Sequence, residues 1–297
     1  MATTTIPLQP VGSLITLGMP INVTRAKQAL KVFVTQETQT VFNLIKSMLE
    51  SPLDRIAVIH SDPGMGKTCI ALALTQLIPN AGLTKEVAKA VYFSVYNKIS
   101  VLGLLKGVAE ELGLDPKGSR TDLYSKLKEA VTPNTFLFID ECDGLTTAHF
   151  EILRYLSDEC GATVVLFGTT GLLLGQVLND KSGRVVAQRL LSRIGQKQYP
   201  LKPIDDAVFI KYILEPHNIA TLSKSNMATV LALTKYDKSK NAGANWRIAE
   251  GLAKHAIRVA TAKHRGADSP MPLNQDGKMI ITVEDFTEAS RQGNLAN

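Results

Sequence analysis

The residues best suited to chemistry are Ser61-Asp62-Pro63-Gly64-Met65-Gly66-Lys67-Thr68. Closely spaced glycines let successive backbone N–H groups turn inward, where they can cradle phosphate oxygens. A helix starting directly after such a loop adds the positive end of its dipole. Lysine supplies a point charge for the outer phosphates, and the neighbouring hydroxyl is an oxygen ligand for a hard cation. The arrangement is that of a P-loop. Asp62, Pro63, Gly64, Met65, Gly66, Lys67, Thr68 and Cys69 are therefore the candidate nucleotide-binding residues, with ATP as ligand and Thr68 on Mg²⁺. Ser61 stands where the full pattern has Gly and is small enough to leave the loop intact.

Thr135-Phe136-Leu137-Phe138-Ile139-Asp140-Glu141 is the second chemical segment, an apolar run ending in two acids. At suitable distance after a P-loop this is a Walker B pattern. Asp140 is the candidate metal residue, and Glu141 the candidate general base that polarises the attacking water. Thr163-Val164-Val165-Leu166-Phe167 is another buried strand, ending in Gly168-Thr169-Thr170. The Thr169 hydroxyl at that end can sense the γ-phosphate and orient water. Arg189 and Arg193 bracket the apolar Leu190-Leu191-Ser192. Arginine is permanently charged and its fork matches phosphate oxygens, so either could act on the ATP of an adjacent subunit. Arg247, near the start of a late helix, is the candidate contact to the nucleotide from within its own subunit.

These groups need elements to hold them. Ile56-Ala57-Val58-Ile59 reads as a buried strand leading into the P-loop, and Ile70 to Leu74 as the helix leaving it. Before them, Val41, Phe42, Leu44, Ile45, Met48 and Leu49 recur at helical spacing. Val91 to Val95 is a strand, Leu102 to Leu112 and Leu123 to Val131 are helices, and Phe150 to Leu156 is another. The alternation predicts an α/β fold with a central parallel sheet flanked by helices. Residues 1–34, broken by Pro and Gly, read as an N-terminal arm, 35–203 as the α/β core, and 204–297 as a small helical lid with a terminal helix. Thr282 to Asp285 reads as the capping box of that helix, with Asp in the usual place of Glu or Gln.

The chain has 297 residues with a net charge of +6, a mild basic excess compatible with a nucleic-acid partner. Cys69, Cys142 and Cys160 lack metal-ligand spacing and read as buried thiols of a reducing compartment. No charged segment precedes Arg25, so no signal peptide is expected, and no apolar run is long enough to span a membrane.

P-loop, Asp-Glu strand, polar strand end, arginine pair and helical lid come in the order of the AAA+ ATPases. Gln36 to Val41, the two Walker segments, Arg189 to Ile194, and Asn245-Trp246-Arg247-Ile248 followed by Ala256-Ile257-Arg258 together resemble the phage Mu B, TnsC and TniB family of transposition regulators. The likeness spans about residues 35–290. Two departures stand out: the N-terminal arm is too short for the helix-turn-helix domain of the Mu protein, and Thr169 stands where that protein has Asn. The resemblance implies an AAA+ core with a lid, ATP and Mg²⁺ as cofactors, and a homo-oligomer, ring or filament, on double-stranded DNA. It further implies a transposase as partner, with a target selector or guide complex, in the cytoplasm of a bacterial host. Binding DNA without reading sequence requires phosphate contacts. Lys98 after the second core strand, and Lys117, Ser119 and Arg120 between two helices, lie on loops that the resemblance places toward the DNA. Two other functions share the nucleotide motifs: a replication or repair loader, and a signalling ATPase with no DNA role.

Overall fold

The computed structural model describes residues 10–11, 14–17, 30–50, 55–84, 86–95, 98–169, 192–195, 197–235, 244–265 and 270–292. Two compact units divide the chain. The first holds residues 1–63 and 67–201, the second residues 202–297 together with Gly64–Gly66.

In the first unit, strands β1 (Leu14–Leu17) and β2 (Leu30–Phe33) pair antiparallel. Helix α1 (Gln36–Met48) follows, with Thr35 and Thr38 exchanging hydrogen bonds as its capping box. It buries Val41, Phe42, Ile45 and Met48, the face expected from their spacing. The main sheet is built from β3 (Ile56–His60), β4 (Lys89–Ser94), β5 (Thr135–Asp140), β6 (Thr163–Gly168) and β7 (Gln198–Pro200). All pairs are parallel, in the order β4-β5-β6-β3-β7. The connecting helices are α2 (Lys67–Leu77), α3 (Val101–Glu111), α4 (Arg120–Ala130) and α5 (Thr147–Asp158).

Strands covered on both faces explain the continuous apolar runs. On β5, Leu137 and Ile139 join one core cluster with Leu104, Leu123 and Leu153, and on β6 so do Val164 and Leu166. The alternate residues Phe136, Phe138, Val165 and Phe167 join the cluster on the other face, with Ile45, Ile70 and Leu74. The order of the strands matters for function: β6 lies between the strand that feeds the P-loop and the strand that ends in Asp140.

The fifth strand, β7, was not expected. It is three residues long, half exposed, and ends in Pro200, so it offers no apolar run to read. It lies at the sheet edge, where Pro is tolerated. Cys142 and Cys160 are buried, but Cys69 is exposed and corrects the expectation of three buried thiols. Its place in the first turn of α2 faces it away from the sheet-side residues Ile70, Ala71 and Leu74.

Gly107 marks the closest packing of α3 on the sheet, since a Cβ there would lie 2.1 Å from Phe93 Cε2. Gly107→Ala should therefore destabilise the first unit by about 1–3 kcal/mol, through overpacking, despite alanine's better helix propensity. A urea midpoint that rises instead would show that Phe93 gives way freely.

The second unit is helical. Helix α6 (Asp206–Phe209) runs into a π-turn at Ile210–Leu214, followed by α7 (Lys224–Leu233), α8 (Trp246–His264) and α9 (Val283–Gln292). Phe209, Ile213, Leu252, Ala256 and Phe286 form its core. The Thr282–Asp285 box is present: Thr282 N–H donates to Asp285 Oδ2 at 2.9 Å, and Asp285 N–H to Thr282 Oγ1 at 3.2 Å.

Candidate nucleotide-binding site

The P-loop follows β3 directly, and α2 begins at Lys67. Gly64 and Gly66 have φ of 79° and 88°, a region that costs residues with a Cβ but not glycine. The Lys67 ammonium folds back over the start of the loop. It donates to Ser61 O at 2.9 Å, Asp62 O at 3.0 Å and Ser61 Oγ at 3.3 Å. Ser61 thus does something the glycine of the full pattern could not, because its hydroxyl helps seat the lysine. Burial pulls the Lys67 pKa down, opposed by Asp140, Asp143, Glu141 and Asp62.

Thr68, in the first turn of α2, donates its hydroxyl to Asp140 Oδ2 at 2.6 Å. Asp140 is 1% exposed, which makes full pairing of its charge obligatory. Tyr92 of β4 donates to the same oxygen at 3.0 Å, and Glu141 N–H to Oδ1 at 2.9 Å. The converging hydroxyl and carboxylate are the hard oxygen donors that Mg²⁺ favours, so the residues fit that ion. When bound with a nucleotide, magnesium neutralises charge that develops on the phosphates. Tyr92 was not anticipated: within an apolar strand its ring looks like core, and only register shows that its hydroxyl meets Asp140.

Glu141 is exposed and lies in the left-handed region, φ 58° and ψ 38°. For a residue with a Cβ this conformation costs on the order of 1 kcal/mol. It turns the chain sharply off β5 into the 3₁₀ turn Cys142–Gly144. That turn brings in another residue the sequence did not flag, Asp143. Thr169 N–H donates to both Asp143 oxygens at 3.0 Å, and the Thr169 hydroxyl donates to Oδ1 at 2.5 Å. Thr169 itself follows the last residue of β6, and Gly168 O accepts Ser61 N–H at 3.3 Å. The residues expected on the Walker segments and at the β6 end therefore converge.

The two candidate finger residues part ways. Arg189 lies outside the described residues. Arg193 lies among the helical residues 192–194, and its guanidinium donates to Asp158 of α5, Nε to Oδ1 at 3.1 Å and Nη2 to Oδ2 at 3.3 Å. Asp158 also receives Arg154 Nη1 at 2.8 Å. Within the second unit, Asn245 caps α8 by accepting the Arg247 and Ile248 N–H groups, and the Arg247 side chain is exposed. Arg247 N–H also approaches Gly64 O at 3.4 Å. A Cβ at Gly64 would lie 2.5 Å from Asn245 Oδ1, a second reason for glycine there.

The candidate DNA residues are of two kinds. Lys98, Lys117 and Arg120 are exposed, and the Arg120 guanidinium stacks over the Tyr124 ring with 5.5 Å to its centre. Ser119 is the N-cap of α4: its hydroxyl accepts Asp122 N–H and donates to Asp122 Oδ2 at 2.8 Å. That hydroxyl is already committed to the helix start.

Residues 53–174 match the family model described as "AAA domain", a segment that contains both Walker motifs and Thr169. No curated protein matches the chain by sequence. Among solved structures, the Aeropyrum pernix ORC2 protein in ADPNP–ADP complexes is similar, with TM-score 0.61 at 15% identity, over 94% of this chain and 70% of that one. Cdc6p from Pyrobaculum aerophilum gives 0.55 at 17% identity, over 94% and 72%. The Aeropyrum pernix ORC1 protein in complex with DNA gives 0.56 at 18% identity, over 86% and 64%. At such identities the likeness concerns the fold, which is the AAA+ P-loop fold with C-terminal helices.

Proposed function

We propose that this chain is a Mg²⁺-dependent ATPase that assembles on double-stranded DNA and presents that DNA to a transposase. The observation that carries the nucleotide chemistry is the pairing of Thr68 with Asp140 beside the seated Lys67. The neighbouring Glu141 is exposed, so water can reach its carboxylate. Support for a polyanionic partner comes from the net charge of +6 and from exposed Lys98, Lys117 and Arg120. The transposition role rests on the resemblance of the arginine segment and of Asn245 to Arg258 to the Mu B, TnsC and TniB family. A second reading, a replication-type loader, is favoured by the likeness to ORC and Cdc6 structures, one of them solved with DNA.

Electron microscopy with ATP, with and without duplex DNA, tests the common part of both readings. Ordered assemblies that require both ligands are expected. Dispersed protein with ATPase activity indifferent to DNA would favour a signalling ATPase. Strand transfer by the cognate transposase, stimulated only on DNA already coated with this protein, separates the transposition reading from the loader.

The DNA contacts have their own test. Lys98→Ala and Arg120→Ala should each weaken binding about equally on unrelated duplexes and lower the salt slope by about one unit. ATP binding should not change, because neither residue lies in the P-loop. Binding isotherms identical to wild type across a salt titration would remove these loops from the interface.

A further inference from the structure

We propose that Asp143 is a positioning residue of the hydrolytic site, and that it makes Thr169 an acceptor for the attacking water instead of a donor to the γ-phosphate. The inference rests on the ATPase reading above and concerns how that site would orient its nucleophile.

A threonine hydroxyl has one proton and two lone pairs, and its backbone adds one N–H donor. Both donors of Thr169 are already spent on one carboxylate: the N–H bridges both Asp143 oxygens at 3.0 Å, and the hydroxyl proton goes to Oδ1 at 2.5 Å. What remains at Oγ1 is lone pairs. Phosphate oxygens of ATP are acceptors, so a hydroxyl in this state has nothing to offer them. Water can give it a proton. Donation to a charged carboxylate also polarises the hydroxyl and makes its oxygen a better acceptor.

The position fits that role. Thr169 stands at the end of β6, between the strand feeding the P-loop and the strand ending in Asp140, and Gly168 O is bonded to Ser61 N–H. Asp143 reaches it because Glu141 takes the left-handed conformation and the chain closes into a 3₁₀ turn. The strain at Glu141 thus places two carboxylates: its own, exposed to solvent, and that of Asp143 on Thr169.

One water proton is held by Glu141 and the other by Thr169 Oγ1, which leaves an oxygen lone pair for phosphorus. The new P–O bond forms as the bond to the bridging oxygen breaks, with its electron pair left on ADP. Glu141 takes the proton it holds, while Thr169 keeps its own and only aims the water.

Asp143→Ala and Thr169→Val test this together with the double variant. Each single change should lower kcat about a hundredfold, the usual cost of a misplaced nucleophile, with KM for ATP changed less than about threefold. The double variant should be no slower than the worse single one, because the two residues act as one unit. Asp143→Asn keeps one carboxamide oxygen for the hydroxyl and should fall between wild type and Asp143→Ala. Equilibrium binding supplies a readout without turnover. Asp143→Ala, Thr169→Val and the double variant should bind a non-hydrolysable ATP analogue as wild type does, yet lose affinity about tenfold or more for ADP with aluminium fluoride, a mimic of the in-line attack. Additive losses, or equal losses for both ligands, would overturn the role of Asp143 in aiming water and leave the ATPase reading standing. A wild-type chain that binds neither ligand would overturn both.

Discussion

Lys67→Ala should abolish ATP binding and ATP-dependent DNA binding together, whereas Glu141→Gln should bind ATP normally, hydrolyse it slowly and stay on DNA longer. The split follows from geometry. Lys67 is half-buried at the loop and donates to Ser61 and Asp62 carbonyls, so its charge sits in the proposed phosphate cradle itself. Its loss removes the only lysine of the loop and the ammonium that those carbonyls share. Glu141 takes no part in that cradle. Its side chain is exposed, and its backbone N–H supports Asp140. Glutamine preserves size and the backbone bond, and removes only the ability to take a proton, worth about 10²–10⁴ in rate. Fluorescent-nucleotide titration and single-turnover hydrolysis measure the two effects separately. Loss of nucleotide affinity in Glu141→Gln as complete as in Lys67→Ala would show that the two roles are not divided.

The proposed magnesium site depends on the same geometry. Thr68 and Tyr92 both donate to Asp140 Oδ2, so Thr68→Val removes one oxygen ligand and one donor at once, while Tyr92→Phe removes only a donor. This ordering was not accessible from sequence. The Walker segments could be read because each joins a residue-type pattern to a strand or helix boundary, and covered strands leave long apolar runs. Tyr92, Asp143 and Asp158 could not. Tyr92 sits in an apolar run, Asp143 looks like one more acid after Asp140-Glu141, and Asp158 like a solvated helix end. Their partners lie 48, 26 and 35 positions away, distances over which only the folded register decides who meets whom. Ser119 shows a second use that spacing alone leaves open. A hydroxyl beside Lys117 and Arg120 looked like a phosphate contact, yet the position three residues before Asp122 is that of a capping serine.

Arg193→Ala should lower ATP hydrolysis by the assembled protein about a thousandfold and leave the binding of ATP to the isolated subunit unchanged. In the single chain the Arg193 fork is held by Asp158, which it shares with Arg154. The Arg193 side chain is 39% exposed, and a pair this open to water is worth only about 0.2–1 kcal/mol. Contact with the triphosphate of a neighbouring subunit can outbid it, since a bidentate arginine–phosphate bond in a closed site is stronger. Asp158→Ala should then release Arg193 and lower the protein concentration at which hydrolysis begins, by less than about tenfold given so weak a tether. Mixing decides whether Arg193 works across the interface. An Arg193→Ala subunit keeps its P-loop, and a Lys67→Ala subunit keeps its arginine. In a head-to-tail assembly of equal parts, about a quarter of the interfaces pair the intact P-loop of one with the arginine of the other. Activity in the mixture well above either variant alone is the expected result. Activity no higher than the sum of the two, together with a wild-type rate per subunit that is flat across concentration, would mean that Arg193 is an ordinary surface arginine and that the site is complete within one chain.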